Sequence, residues 1–112
     1  MIAASTDSIQ GKRVVRTLGL VSGAVTRSPG LLPSLVATIK NFFGGELEEF
    51  TKTLAEAREQ ALDRMLEQAR SQGANAVLSV RFASAEIASF AAEIMVYGTA
   101  VIVEDEGEGG KA

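Results

Sequence analysis

Three acids crowd one short stretch of the chain, GGELEEF, at Glu46, Glu48 and Glu49. Carboxylate oxygens suit a hard divalent cation such as magnesium or calcium. The plainer reading is a helix start decorated with acids, which the positive end of the helix dipole favours. Arg81 lies in an apolar run between Val80 and Phe82. A charge there must be paired or reach water. It is expected to pair with Glu86 or Glu93, or else to point into a pore and hold an anion. Arg58, near Glu56, can bond between subunits or stay a solvated charge. Tyr97 is the only tyrosine and, with Gly98 and Thr99, interrupts a second apolar run. Its ring can stack on a ligand, although a buried tyrosine with a satisfied hydroxyl is more common. Glycine inside a strand also marks a bulge or the close approach of another backbone. Asn75 follows Gly73 closely, and asparagine suits a turn there. Asp7 beside Ser5 and Thr6 reads as a turn before it reads as a phosphate or metal handle.

Two absences exclude more chemistry than these residues suggest. The 112 residues hold neither cysteine nor histidine. Thiolate chemistry and disulfides are ruled out, and so is a Ser-His-Asp triad. The commonest general base and a major metal ligand are missing too. Gly11, Gly19 and Gly23 make no dinucleotide fingerprint, because no GxGxxG precedes a helix. The net charge of −3 sits in the tail after Val103, which leaves residues 1–103 neutral. Within them, residues 1–45 carry +4 and residues 46–103 carry −4, so the two halves attract, within a subunit or between neighbours. A neutral body gives nucleic acid no footprint. No apolar run approaches the roughly 20 residues of a membrane helix. The start MIAASTDSIQGKR is polar where a leader needs an apolar core, so a cytoplasmic protein is expected.

The elements that must position these residues read clearly in places. Ile2–Ser5 and Lys12–Val21 are expected strands, the second bracketed by Gly11 and Gly23. Pro33–Phe43 reads as a short helix. Glu46–Gln72 reads as a long one, about 40 Å at 1.5 Å per residue. Its apolar stripe is Leu47, Phe50, Leu54, Ala57, Ala61, Met65 and Ala69, widened by Leu62 and Leu66. Gly73 ends it. Ala76–Phe82 and Glu93–Glu104 are strands, joined by a loop or by an extension of their hairpin. The chain reads as one domain over 1–104, with an acidic, glycine-rich, disordered tail over 105–112. The class is α+β, a two-layer fold with one long helix on an antiparallel sheet.

That sheet is apolar on both faces. Leu78, Val80, Ile94 and Ile102 are assigned to one face, and Val77, Met95, Val101 and Val103 to the other. A sheet wetted on one side would alternate apolar with polar residues. A second copy of the chain is therefore expected over the second face. The short helix is the alternative cover.

The segments GGELEEFTKTLAEAREQALDRMLEQARSQGANAVLSVRF and EIMVYGTAVIVE resemble the YbjQ-like family, small bacterial proteins labelled as heavy-metal-binding. LGLVSG is similar to the family's second strand. The likeness spans about Ile2 to Glu104. It is most specific at Gly44-Gly45-Glu46, Glu56-Ala57-Arg58, Gly73 to Val77, Arg81 and Tyr97 to Val101. It implies a β-α-β-β subunit in a ring-shaped homopentamer, and no settled reaction. Pro33-Ser34 replaces an expected Arg-Asp pair, and Phe50 an expected tyrosine. Soft metals prefer thiolate and imidazole, which this chain lacks.

The expected function is thus a non-enzymatic pentameric ring, acting as a scaffold or a small-ligand-binding assembly. Arg58, Asn75, Arg81, Tyr97 and Thr99 are its expected ligand or interface positions. The alternative is a metal-binding protein with oxygen ligands, Glu46, Glu48 and Glu49 being the candidates and a divalent ion the cofactor. Its partners are other copies of itself, not nucleic acid or membrane.

Overall fold

The computed structural model describes residues 1–27, 46–88 and 91–106; side chains at 27, 46–53, 86–88 and 91–92 lie outside that description. The chain forms β1 (Ile2–Ala3), β2 (Lys12–Arg27), α1 (Glu46–Ser71), β3 (Ala76–Ala88) and β4 (Ala91–Asp105). The expected helix Pro33–Phe43 lies outside the described residues. The sheet order is β1-β3-β4-β2. β2 and β3 run antiparallel to β4, while β1 runs parallel to β3. The sheet is therefore mixed, which corrects the wholly antiparallel expectation. β1 starts on the outer edge of β3, and its chain must cross to β2 on the far side of β4.

Three strands are longer than the sequence suggests. β2 continues through Gly23 to Arg27, so that glycine sits inside the strand and does not end it. The residues between the expected third and fourth strands extend a long hairpin, pairing from Ala76↔Val101 to Ala88↔Ala91. β4 takes in Asp105, where Lys12 Nζ meets its Oδ1 at 2.5 Å. Arg13 pairs with Glu104 beside it. These exposed pairs contribute at most about 1 kcal/mol each.

α1 follows its predicted stripe. Ala57, Ala61, Met65 and Ala69 are fully buried on the sheet, with Leu54, Leu62 and Leu66 partly buried beside them. The small side chains of Ala57, Ala61 and Ala69 let the helix backbone approach closely. Gly23 completes that approach, since a Cβ there would stand 2.6 Å from the backbone nitrogen of Met65. The helix ends in a Schellman motif. Gly73 adopts φ 90°, its N–H donates to Arg70 O at 2.9 Å, and the Ala74 N–H donates to Ala69 O at 3.0 Å.

One residue reverses the expected faces. Ser79 has φ 55°, and the register with β4 shifts between Leu78 and Arg81. Side chains in a strand alternate with period two, so an extra residue moves its neighbours to opposite sides. Val77 and Val80 both pack on the helix side, with Val21, Val25, Ile94, Val96 and Ala100. Leu78 lies on the back face with Ala76, Val101 and Val103. The sequence-based assignments of Val77 and Leu78 are thus exchanged.

The back face is also not left to a partner throughout. Ala4 and Ile9, on the segment crossing from β1 to β2, pack against Leu78, Val101 and Val103. Val101 and Val103 are buried within the single chain. Farther along the same face, Leu20 is 72% exposed and Tyr97 36%.

Candidate functional site

The sheet divides the candidate residues into three places. Arg81, Tyr97 and Thr99 share the back face. In register, Tyr97 lies between Arg81 and Ser22, and Thr99 between Leu78 and Leu20. Arg58 is exposed on α1, on the other side of the sheet. Asn75 is at the joint between helix and β3. The five do not form one cluster.

Arg81 does not make the expected ion pair with Glu93, which stands opposite Ala85, and the side chain of the other expected partner, Glu86, lies outside the described residues. Its Nη1 donates to the carbonyl oxygens of Ser5 at 2.7 Å and Val80 at 2.9 Å. The bulge explains this. It turns the Ser79 and Val80 N–H groups toward Thr6 O at 2.8 Å and Ala4 O at 3.0 Å. Arg81 closes that arrangement, so its charge pins the crossing segment over the back face. The guanidinium stays exposed, which spares it the cost of burial.

Asn75 has a similarly local use. Its Nδ2 donates to Val103 O, and its Oδ1 accepts from the Val103 N–H, both at 2.8 Å. The amide thus stands in for a strand residue against β4, just before β3 begins. Both polar ends of the side chain are satisfied inside the chain. Gly98 fits the close approach that its strand position suggests, since a Cβ there would lie 2.7 Å from Val77 Cγ1 and 3.0 Å from Leu78 O.

Sequence reasoning missed two features. The first is how α1 treats the edge strand β2. Gln68 Oε1 accepts from the Ser22 N–H at 2.8 Å, and Arg64 Nη1 donates to Ala24 O at 2.6 Å. These bonds occupy outward-facing backbone groups of β2. The second is a shallow cleft on the helix side, lined among the described residues by Arg58, Phe82, Ala83, Ser84 and Ile94. Its signal was the shared parity of Val80 and Phe82, which places Phe82 on a helix-covered face.

The metal candidates Glu46, Glu48 and Glu49 open α1, as the helix-start reading requires. Their side chains lie outside the described residues. Among the described residues, no group of three or more Asp, Glu, His or Cys could hold a metal ion. Among the same residues, no helix is long and apolar enough to cross a membrane.

Comparison with known proteins places this arrangement. Residues 1–104 match the YbjQ family, whose description reads "Putative heavy-metal-binding". A UPF0145 protein from Hahella chejuensis is 49% identical over 93% of this chain and all of its own length. A UPF0145 protein from Thermus thermophilus is 48% identical over 93% of this chain and 91% of its own. A solved structure from Pediococcus pentosaceus, titled as a protein with unknown function of the DUF74 family, superposes with a TM-score of 0.62. It covers 93% of this chain and 98% of its own at 11% identity, a likeness of fold alone. The donor set does not fit the metal in the family description. Soft, heavy ions seek thiolate and imidazole, and this chain has neither. On its match over 104 of 112 residues and its close relatives, the chain belongs to the YbjQ family, alongside the UPF0145 proteins.

Proposed function

We propose that this protein is a non-enzymatic, self-assembling ring, a homopentamer that serves as a scaffold or holds a small ligand. One observation carries the reading: a single chain leaves apolar sheet surface bare. Leu20 and Tyr97 lie open on the back face, and Val14 and Val15 are exposed on β2. Among the described residues, β2 is an edge strand. Arg64 and Gln68 occupy its outer groups at Ala24 and Ser22, and among the described residues no side chain does so between Arg13 and Leu20. Open, apolar edges invite pairing with another chain. An edge on one copy meeting a different surface on the next is a head-to-tail contact, which closes into a ring when the rotation allows.

Light scattering on the purified chain tests the assembly. The expected mass is five times the 11.7 kDa of one chain. A stable species of 11.7 kDa at micromolar concentration overturns the reading. The family description supports a second reading, oxygen-ligand metal binding through Glu46, Glu48 and Glu49. Calorimetry with magnesium, calcium, manganese and zinc separates the two, because a scaffold gives no saturable heat with any ion.

A further inference from the structure

α1 covers its face of the sheet unevenly. It lies over β2 and β4, with Gly23 directly beneath Ala61 and Met65. Beyond Val80, β3 is left exposed on the same side, at Phe82 and Ser84. Phe82 and Val96 are register partners and share that face. Val96 is fully buried, yet Phe82 is 49% exposed. The cleft opens between the helix and this exposed part of the strand. Ile94 is its buried floor, Phe82 and Ser84 stand on one side, and Arg58 on the other.

Arg58 is the unusual member. Its neighbours three and four residues away on the helix are Leu54, Ala55, Ala61 and Leu62. No acid of its own helix can therefore pair with it. It makes no hydrogen bond or ion pair with the described residues, whereas Arg64 spends its charge on Ala24 O. Among the described residues, the cleft lining contains no acid. One cationic fork, one hydroxyl, an aromatic ring and an aliphatic floor thus face a common space.

We propose that this cleft binds a small organic carboxylate with a flat apolar body. The inference rests on the small-ligand part of the function proposed above. A planar guanidinium presents paired N–H groups that match a carboxylate, and Ser84 can donate a further hydrogen bond. Phe82 and Ile94 provide apolar surface for the rest of the ligand. A cation would meet Arg58 with no acid to offset it. A bare oxyanion would leave half of the lining unused. Only five described residues line the cleft, so the ligand is small.

Amide and arginine side-chain NMR shifts of the full labelled chain provide the test, with benzoate, acetate, inorganic phosphate and benzylamine as probes. Benzoate is expected to give saturable shifts at Arg58, Phe82 and Ser84. Acetate and phosphate should bind about fivefold more weakly or worse, and benzylamine should leave the cleft unmoved. Arg58→Gln should weaken benzoate about tenfold, Ser84→Ala about threefold, and Arg58→Lys should retain part of the affinity. Equal binding of phosphate and benzoate, or unchanged benzoate binding by Arg58→Gln, overturns the proposal. So does the absence of benzoate shifts. Mass measured on the same samples keeps the two readings apart. A pentamer blind to benzoate loses the cleft and keeps the ring, while a monomer that binds benzoate does the reverse.

Discussion

The two faces of the sheet are buried by different means. On one face a 26-residue helix lays a row of alanines and Met65 against β2 and β4. On the other, among the described residues, the crossing segment of the N-terminus shelters Leu78, Val101 and Val103, while Leu20 and Tyr97 stay exposed. The helix face relies on periodicity and close backbone approach. The back face relies on a strand bulge, the Arg81 side chain and a few backbone hydrogen bonds. A helix supplies its own backbone partners and needs only a stripe to dock. The crossing segment has no internal ladder, so β3 must supply its bonds. The same surface is therefore finished inside the chain at one end and left exposed at the other.

Substitutions that separate these mechanisms should fall in a clear order. Val101→Asp is expected to be the most damaging, because it places an unpaired charge beneath the crossing segment. A loss on the order of 4 kcal/mol in urea unfolding is expected. The variant should lose its fold, not merely its assembly; a folded monomer would show that the segment does not cover Val101. Met65→Ala opens a cavity on the helix face and should cost about 2–5 kcal/mol by the same measurement. A loss below 1 kcal/mol would mean the helix does not rest there. Asn75→Ala removes two hydrogen bonds to Val103 and leaves its backbone groups unpaired, for a cost of about 1–3 kcal/mol. Protection of the Val103 amide from hydrogen exchange should fall with it. Leu20→Asp should leave secondary structure intact by circular dichroism and lower the particle mass by light scattering. An unchanged mass would remove the exposed end of the back face from any interface. The exposed Glu59→Ala on the outer helix face is its control and should alter neither.

Much of this molecule is legible in its sequence. The long helix announced itself by a stripe at intervals of three and four, and its C-terminal end by Gly73. The strands announced themselves by apolar runs, and Gly98 by its place inside one. The candidate site was less legible. The sequence offers Arg81 a nearby acid or a pore, whereas it bonds to Ser5, far away in sequence. The Arg58 cleft depends on which strand the helix leaves bare, and a helical stripe does not specify that.

The amino-acid order alone determined the elements, because helix period, glycine stops and apolar runs act over a few residues. Tertiary structure alone decided which face each side chain meets. Ser79 shows why. A single residue at positive φ exchanges the sides of Val77 and Leu78, and nothing in the local composition marks it. The cover over Val101 likewise comes from Ala4 and Ile9 at the opposite end of the chain. Such contacts arise only once the sheet order brings β1 beside β3 and sends the following segment across β4.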